Sequence, residues 1–265
     1  MRDGGKRALL AVRGVTKRFP VDDGEIEALA RIDLAIDSGE FVCLIGASGC
    51  GKSTLLRIIA GFEEPTTGEV TTHGKTITGP GSDRGMVFQD YALFPWMTVH
   101  RNIGFGPRQR GLPRAEIAAI ADEFVKLVGL ERFADRYPNQ LSGGMKQRVA
   151  IARVLANDAN ILLMDEPFGA LDALTREQLQ RELLQIWART KVTVVFVTHS
   201  VEEAVLLSDR ILVMSAGPGR IESDIAIDLP RPREVSSPEF NAVRRDVARR
   251  LTSHLAPRAL ELAGG

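Results

Sequence analysis

The sequence has few of the features that mark secreted, membrane-spanning or nucleic-acid-coating proteins. It contains two cysteines, Cys43 and Cys50, too few for a disulfide framework, and this indicates a reducing, cytosolic setting. No apolar run approaches the roughly 18 residues that a membrane span needs. Lysine plus arginine and aspartate plus glutamate both number 34. This neutral balance disfavours nucleic acid as the main partner.

The remaining composition is that of an ordinary globular protein. Hydrophobic residues make up 44% and charged residues 26% of 265 residues, enough for one large lobe or two small ones. The polar, basic residues 1–7 do not resemble a signal peptide, and we see no internal repeat.

The most informative stretch is residues 46–53, GASGCGKS, which fit the phosphate-binding pattern G-x-x-x-x-G-K-[ST]. An apolar run precedes it and a helical pattern follows it, as a phosphate-binding loop requires. We expect Lys52 to reach the β- and γ-phosphates and the Ser53 hydroxyl to hold Mg²⁺. The alternative is a glycine-rich turn with an exposed lysine. The predicted nucleotide ligands are Gly46, Ala47, Ser48, Gly49, Cys50, Gly51, Lys52, Ser53 and Thr54.

A second constellation follows the apolar run at residues 161–164. Asp165 ends this run, so its carboxylate is predicted to hold Mg²⁺ through water. Glu166 comes next and is predicted to act as general base or to polarise the attacking water. The alternative is that both acids merely cap the turn at Pro167.

A third element, residues 141–148, reads LSGGMKQR. Ser142 is a good helix N-cap, and Gly143 and Gly144 would expose first-turn N–H groups, so a second phosphate-binding helix start is predicted. The nucleotide already has one phosphate loop. The second helix start therefore makes most sense if it covers the γ-phosphate of a nucleotide held by another copy.

The pattern of elements favours a parallel α/β sheet. Short apolar runs at 161–164, 192–197 and 211–214 alternate with helical segments, which is typical of strands buried on both faces. Residues 91–156 lack β-branched runs and are predicted to form an inserted helical lobe. The phosphate loop, Asp165 and His199 all follow strand ends, so they can converge on one site.

These motifs occur in the order found in ABC-transporter ATPase subunits, which the chain resembles over roughly residues 8–230. Residues 77–85, 93–96, 215–220 and 229–233 look more narrowly like the nitrate, sulfonate and taurine importer group. The resemblance implies a P-loop NTPase (RecA-like) parallel-sheet core, an N-terminal antiparallel β subdomain and an inserted α-helical subdomain. An extended segment and helical tail would occupy residues 231–265.

The resemblance also implies roles for single residues. Gln89 matches the glutamine that contacts Mg²⁺ and water and couples the site to the permease, and His199 matches the histidine that holds the γ-phosphate. Asp172 matches the aspartate that reaches across the dimer. Phe19 stands where a tyrosine is commoner and would stack on adenine. Without the resemblance, Gln89 would be a surface residue and His199 a loop residue, and Phe19 would be either a core aromatic or a flat face on which adenine stacks.

The implied ligands are ATP and Mg²⁺, and the implied partners are a second copy and a transmembrane permease. The permease would contact the chain near Gln89–Val99; the alternative for the apolar stretch 91–99 is a core segment. A periplasmic or lipid-anchored solute-binding protein would be an indirect partner. We expect the chain at the cytoplasmic face of the inner membrane, as a peripheral subunit.

Several alternatives stay open at this point. The chain could be a soluble ABC-type ATPase of translation or repair, or an export ATPase. Nitrate, taurine, alkanesulfonates and a small heterocyclic vitamin precursor are all possible solutes. Residues 240–262 predict one or two helices with an apolar stripe at Val243, Val247, Leu251 and Leu255. Their basic face is either solvated or in contact with anionic lipid or a partner.

Overall fold

A computed structural model of the chain describes residues 8–22, 24–88, 90–169 and 171–253. Within those ranges, no helix combines the length and the apolar character that crossing a membrane requires. The strands are β1 (Leu10–Val21), β2 (Gly24–Ile36), β3 (Phe41–Gly46), β4 (Thr67–Thr72), β5 (Lys75–Thr76), β6 (Arg84–Val87), β7 (Ile161–Asp165), β8 (Thr193–Thr198), β9 (Arg210–Ser215) and β10 (Arg220–Ala226).

The described residues also contain eight α-helices. Short 3₁₀ turns at Glu131–Phe133 and Pro138–Gln140 separate two of them. The α-helices are α1 (Lys52–Ala60), α2 (Val99–Ile103), α3 (Phe105–Gln109), α4 (Arg114–Leu127), α5 (Gly143–Leu155), α6 (Ala173–Thr190), α7 (Val201–Leu207) and α8 (Pro238–Ser253).

The strands form two sheets. One is antiparallel, in the order β2-β1-β4-β5, and begins with the long hairpin of β1 and β2. The other runs in the order β10-β9-β3-β8-β7-β6 and is parallel except for β10, which pairs antiparallel with β9. The described part of 91–156 contains helices and turns but no strand. The predicted fold class is therefore confirmed.

Strand β10 is an element that the sequence pattern did not predict. Its residues alternate between exposed and half-buried, with no fully buried position. Such an edge strand lacks the apolar run that identified its neighbours, because one of its edges and much of its surface face solvent. β10 is a strand because its backbone pairs with β9.

The core lies on both faces of the parallel sheet, and β3 shows why. Alternate side chains of a strand point to opposite faces. Phe41, Cys43 and Ile45 pack with the cluster that includes α5, α6, α7 and α8. Val42 and Leu44 pack with α1 and the antiparallel sheet. Because β3 is packed on both faces, it is a rigid support for the loop that follows it.

The C-terminal helix is docked on the main body. Phe240 and Val247 of α8 are buried, and Val243 and Leu251 pack beside them. The arginines Arg244, Arg245, Arg249 and Arg250 are exposed. The predicted apolar stripe therefore faces the main body; Leu255, the last member of the predicted stripe, lies outside the described residues.

Candidate active site

The phosphate loop connects β3 to α1, as its sequence context predicts. Gly46 ends β3, and α1 begins at Lys52. Gly51 precedes the helix with φ 89°, and a Cβ placed there would lie 2.4 Å from Leu29 Cδ2. Only glycine fits a position with both a left-handed backbone and so close a neighbour. The loop therefore enters the helix through a turn that leaves first-turn N–H groups free for an anion.

Lys52 is folded back over this loop. Its Nζ donates to the carbonyl oxygens of Gly46 and Ala47, each at 2.9 Å, and lies 3.7 Å from Cys50 Sγ. Lys52 is only 5% exposed. A buried ammonium needs such partners, because desolvation without compensation is costly. The positive charge is thereby held inside the loop, where phosphate oxygens of a nucleotide would enter.

Ser53 and Asp165 meet at the ends of different elements. The Ser53 hydroxyl donates to Asp165 Oδ1 at 2.9 Å, although the residues are 112 positions apart. Burial raises the pKa of Asp165, and the Ser53 hydrogen bond opposes that shift. A hydroxyl beside a carboxylate is an oxygen donor set that suits Mg²⁺. Among the described residues, this site included, no group of three or more His, Cys, Asp or Glu side chains is placed to hold a metal.

Glu166 adopts an unusual backbone conformation. Its φ is 45°, a left-handed value that non-glycine residues rarely take and that costs about 1–3 kcal/mol. Its N–H donates to Val197 O of β8 at 3.0 Å, and its carbonyl accepts from Gly169 N at 3.1 Å. These two hydrogen bonds stabilise the turn. This turn follows the end of β7 at Asp165.

The Glu166 carboxylate contacts His199, which follows β8. Glu166 Oε2 lies 3.2 Å from His199 Nδ1. A carboxylate oxygen accepts hydrogen bonds, so Nδ1 carries the proton of this pair and Nε2 remains free to face a ligand. The two predicted catalytic residues are thus direct neighbours, although 33 positions separate them in the sequence. The spacing of the motifs did not predict this contact.

Phe19 lies near the tip of the β1–β2 hairpin, paired with Ile26, and is half-buried. The Lys17 ammonium sits over its ring at 4.8 Å from the centroid. Lys17 Nζ also lies 2.6 Å from Glu63 Oε1 and so is held by an acid. We did not predict a role for Lys17. Its position two residues before Phe19 on one strand, which places both on the same face, is the signal that could have identified it.

The predicted second phosphate-binding helix start is the N-terminus of α5. Ser142 is its N-cap, and the Ser142 Oγ accepts from the Met145 N–H at 3.3 Å. A Cβ on Gly143 would contact Tyr91 and Leu171, and one on Gly144 would contact Thr175 and Leu179. These neighbours belong to α6 and to the segments that follow β6 and β7. None of them belongs to the phosphate loop of the same chain.

Asp172 is the N-cap of α6, a structural role that the resemblance did not imply. Its carboxylate accepts from the Thr175 N–H at 3.0 Å. Hydrogen bonds from Thr175 hold the pKa of Asp172 below its usual range. The side chain is exposed, so it can both cap α6 and face another molecule.

The predicted residue Gln89 lies outside the described residues. The segment after it turns sharply, with φ 65° at Tyr91 and 44° at Ala92. Arg153 of α5 donates to both of their carbonyl oxygens, at 3.4 Å from Tyr91 O and 2.7 Å from Ala92 O. Helix α5, whose N-cap is Ser142, therefore binds the segment that follows Gln89 through Arg153.

Comparison with known proteins identifies the family. Residues 29–169, more than half of the chain, match the family described as ABC transporter. The chain belongs to this family. It is therefore an ATP-binding and ATP-hydrolysing ABC subunit, and the predicted family is confirmed. Relatives with import descriptions cover most of its length.

Three ABC relatives illustrate the likeness. The bicarbonate transport ATP-binding protein CmpC of Synechococcus elongatus is 54% identical over 90% of this chain and 37% of its own length, so the chain spans well under half of that relative. The nitrate import ATP-binding protein NrtD of Synechocystis sp. is 47% identical over 89% of each chain. The taurine import ATP-binding protein TauB of Roseobacter denitrificans is 45% identical, over 90% and 92% of the two chains.

A solved ABC structure has the same fold. It is described as a dimeric, post-hydrolysis state of the ATP-binding cassette MJ0796 bound to ADP and Pi. It matches with a TM-score of 0.72 and 36% identity, covering 83% of this chain and 100% of the solved one.

Proposed function

We propose that this ABC subunit drives solute import as a head-to-tail homodimer that encloses two ATP molecules between the copies. The observation that carries the dimer is that one chain has two separate glycine-rich helix starts, at the beginning of α1 and of α5, each of the kind that can bind phosphate. Lys52 and Ser53 lie beside Asp165, whereas Gly143 and Gly144 pack against residues 91, 171, 175 and 179. Each start has its own surroundings. A second copy can bring its Ser142 helix start to the phosphate loop of the first.

The comparisons support the proposal at two points. The solved relative is described as a dimer with ADP and Pi, which is consistent with a nucleotide held between copies. The curated relatives are described as import or transport subunits for bicarbonate, nitrate and taurine. These are small, hydrophilic solutes that carry an anionic group. We therefore propose a small anionic or zwitterionic solute, with bicarbonate added to those expected from the sequence.

The residues divide the proposed work between binding and chemistry. Lys52 places a buried positive charge at the phosphates, and Phe19 offers its free ring face to adenine. Ser53 and Asp165 would hold Mg²⁺, which neutralises phosphate charge when it is bound. Glu166 accepts or orients the proton of the attacking water, and His199 holds the γ-phosphate through Nε2 while Nδ1 binds Glu166. Asp172 and Ser142 act from the other copy.

The head-to-tail arrangement is tested by mixing variants in one dimer. Lys52→Ala disables a phosphate loop, and Ser142→Arg places a bulky side chain at the α5 helix start. Heterodimers with one substitution on each chain should retain about half of the hydrolysis rate, because one site keeps Lys52 from one chain and Ser142 from the other. Heterodimers of a doubly substituted chain with an unaltered chain should lose both sites.

The measurement uses two different affinity tags so that only heterodimers are assayed. If each site were instead built within one chain, the two results would exchange places: the doubly substituted heterodimer would keep half of the rate and the split one would be inactive. That exchange would refute the shared site.

We further propose that the permease docks on the helical lobe. A groove of about 620 Å³ opens there, and Trp96 on its rim is 68% exposed. Phe94 and Phe105 pack against each other beside Trp96, with ring centroids 4.5 Å apart and ring planes tilted by 47°. A large exposed aromatic side chain over a groove marks a docking surface rather than a core segment. The lining includes Trp96, Met97, His100, Arg101, Phe105 and Arg108.

The groove is mechanically linked to the second phosphate-binding helix. Arg153 of α5 lies over the Phe94 ring, 5.3 Å from its centroid, and binds the carbonyls of Tyr91 and Ala92. Burial lowers the pKa of Arg153. Movement of α5 on dimer closure would therefore pull the segment that carries Phe94 and Trp96. This is how nucleotide binding would reach the permease.

The docking proposal predicts that Trp96→Glu lowers co-purification of the permease by at least about tenfold, since a buried interface aromatic contributes about 2 kcal/mol or more. Phe133→Glu is the matched control, because Phe133 is also an exposed aromatic, at 38%, but does not line the groove. Equal loss with both variants would instead indicate a general surface effect and would argue against this groove.

The import direction and the solute are tested together. The subunit, expressed with its permease and solute-binding protein, should take up labelled bicarbonate, nitrate or taurine into vesicles only when ATP is present on the side of the subunit. Through those partners it would sit peripherally at the cytoplasmic face of the inner membrane. ATP-dependent export would overturn the importer assignment. Stimulation of hydrolysis by ribosomes or DNA, but not by the permease, would revive the soluble alternative.

A further inference from the structure

Glu203 is a buried acid that is hydrogen-bonded to the residues on either side of His199. Glu203 belongs to the first turn of α7, and its side chain is 9% exposed. Its polar partners among the described residues are Thr198, Ser200, Gln180 and Arg176, none of them in the phosphate loop. A buried carboxyl group is costly unless it is hydrogen-bonded or paired, so its partners show what the residue does.

On one side Glu203 holds the segment that carries His199. The Thr198 hydroxyl donates to Glu203 Oε2 at 2.6 Å. The same hydroxyl accepts from the Ser200 N–H at 3.0 Å, and the Ser200 hydroxyl accepts from the Glu203 N–H at 3.2 Å. These bonds fix the residues immediately before and after His199. The backbone that aims the imidazole is thereby tied to Glu203.

On the other side Glu203 binds α6. The Gln180 amide donates to Glu203 Oε1 at 3.3 Å, and Gln180 is 7% exposed. Arg176 Nε forms an ion pair with the same oxygen at 3.7 Å. Arg176 also donates to Leu171 O at 3.0 Å, one residue before Asp172. The carboxyl group therefore connects the start of α6, with Asp172, to the segment around His199.

The C-terminal end of α7 is also fixed, by hydrogen bonds from Arg233. Arg233 donates to the carbonyl oxygens of Val205 and Ser208, at 2.6 Å and 2.7 Å, and so satisfies the C-terminus of the helix. A short helix fixed at both ends transmits a displacement of α6 rather than absorbing it.

We propose that Glu203 is a positioning residue that couples the Asp172 segment, which faces the second copy, to His199 at the nucleotide of its own copy. Docking of the partner copy against Asp172 would shift the start of α6, and Arg176, Gln180 and Glu203 would pass that shift to the Thr198–Ser200 backbone. His199 then reaches its working position only in the closed dimer. This inference rests on the proposed role of His199.

The first test uses Thr198, whose hydroxyl is the link between Glu203 and Ser200. Thr198→Val keeps the size but removes both hydrogen bonds, and it should lower kcat for ATP hydrolysis about 10- to 100-fold, the range expected from a small misplacement of a catalytic group. Thr198→Ser keeps the hydroxyl and should stay within about twofold of the unaltered chain. Affinity for a fluorescent ATP analogue should be unchanged in both. If the serine variant is as slow as the valine variant, the proposal is wrong.

A second pair of variants tests the connection to α6. Glu203→Gln keeps an acceptor for Thr198 but turns an amide group, instead of a carboxylate, toward Gln180 and Arg176, and it should lower kcat with ATP affinity preserved. Glu202→Gln is the matched control, because Glu202 is an exposed acid in the same helical turn. If the two variants lower kcat equally, Glu203 acts only as a negative charge at the helix N-terminus, and the proposed coupling is wrong.

The decisive experiment combines Thr198→Val with His199→Ala in the full chain. If Glu203 acts through His199, the valine substitution should change the residual rate of the His199→Ala protein by less than about twofold. A multiplicative fall in the double variant overturns the coupling while leaving the role of His199 intact. Unimpaired hydrolysis by His199→Ala alone refutes the proposed role of His199, and the coupling with it.

Discussion

Glu166→Gln should lower the hydrolysis rate about 10²–10⁴-fold and trap an ATP-bound dimer. Glutamine has the same size as glutamate, and its amide oxygen can still accept from His199 Nδ1, which lies 3.2 Å from Oε2 in the unaltered chain. The left-handed backbone at Glu166 is unaffected by this change. What is lost is the ability to take a proton from the attacking water. ATP binding and dimer closure should therefore persist without turnover.

This result is checked by single-turnover hydrolysis together with size-exclusion chromatography in saturating ATP. Glu177→Gln serves as the control, because Glu177 is an exposed acid of α6 that pairs with Arg181 on the surface. It should leave the rate within about twofold, since surface substitutions usually have small effects. A Glu166→Gln protein that stays monomeric in saturating ATP would contradict the closed two-nucleotide dimer.

Lys52→Ala should weaken ATP binding about 10- to 100-fold, because a hydrogen bond to a charged group contributes about 1.5–3 kcal/mol. The substitution removes the charge that the loop encloses and leaves the carbonyl oxygens of Gly46 and Ala47 without their donor. Those carbonyls belong to the loop that must close around the phosphates. The loss thus acts on affinity, in contrast with the loss of turnover at Glu166.

Equilibrium titration with a fluorescent ATP analogue measures this effect. Lys52→Met retains most of the aliphatic stem and separates the charge from the packing, and it should bind ATP as weakly as Lys52→Ala. Lys126→Ala, at an exposed position of α4, is the control for a lost lysine. Unchanged affinity in Lys52→Met would show that the ammonium group does not reach the phosphates.

Local sequence patterns predicted some elements of the fold and missed others. The strands β3, β7 and β8 were predicted because strands buried on both faces read as continuous apolar runs. Strand β10 was missed because its polar alternation resembles a loop. The capping role of Asp172 was also missed, although a short acid three residues before Thr175 is a recognisable helix start.

The sequence by itself determined the phosphate loop, the carboxylates after β7, the second helix start at Ser142 and, through their order, the ABC family. Each of these depends on residues adjacent in the chain, so spacing alone identifies them. Only the tertiary structure decided that Glu166 contacts His199 and that Glu203 joins α6 to Thr198. These pairs are brought together by strand order and by strand and helix packing, which no local pattern specifies.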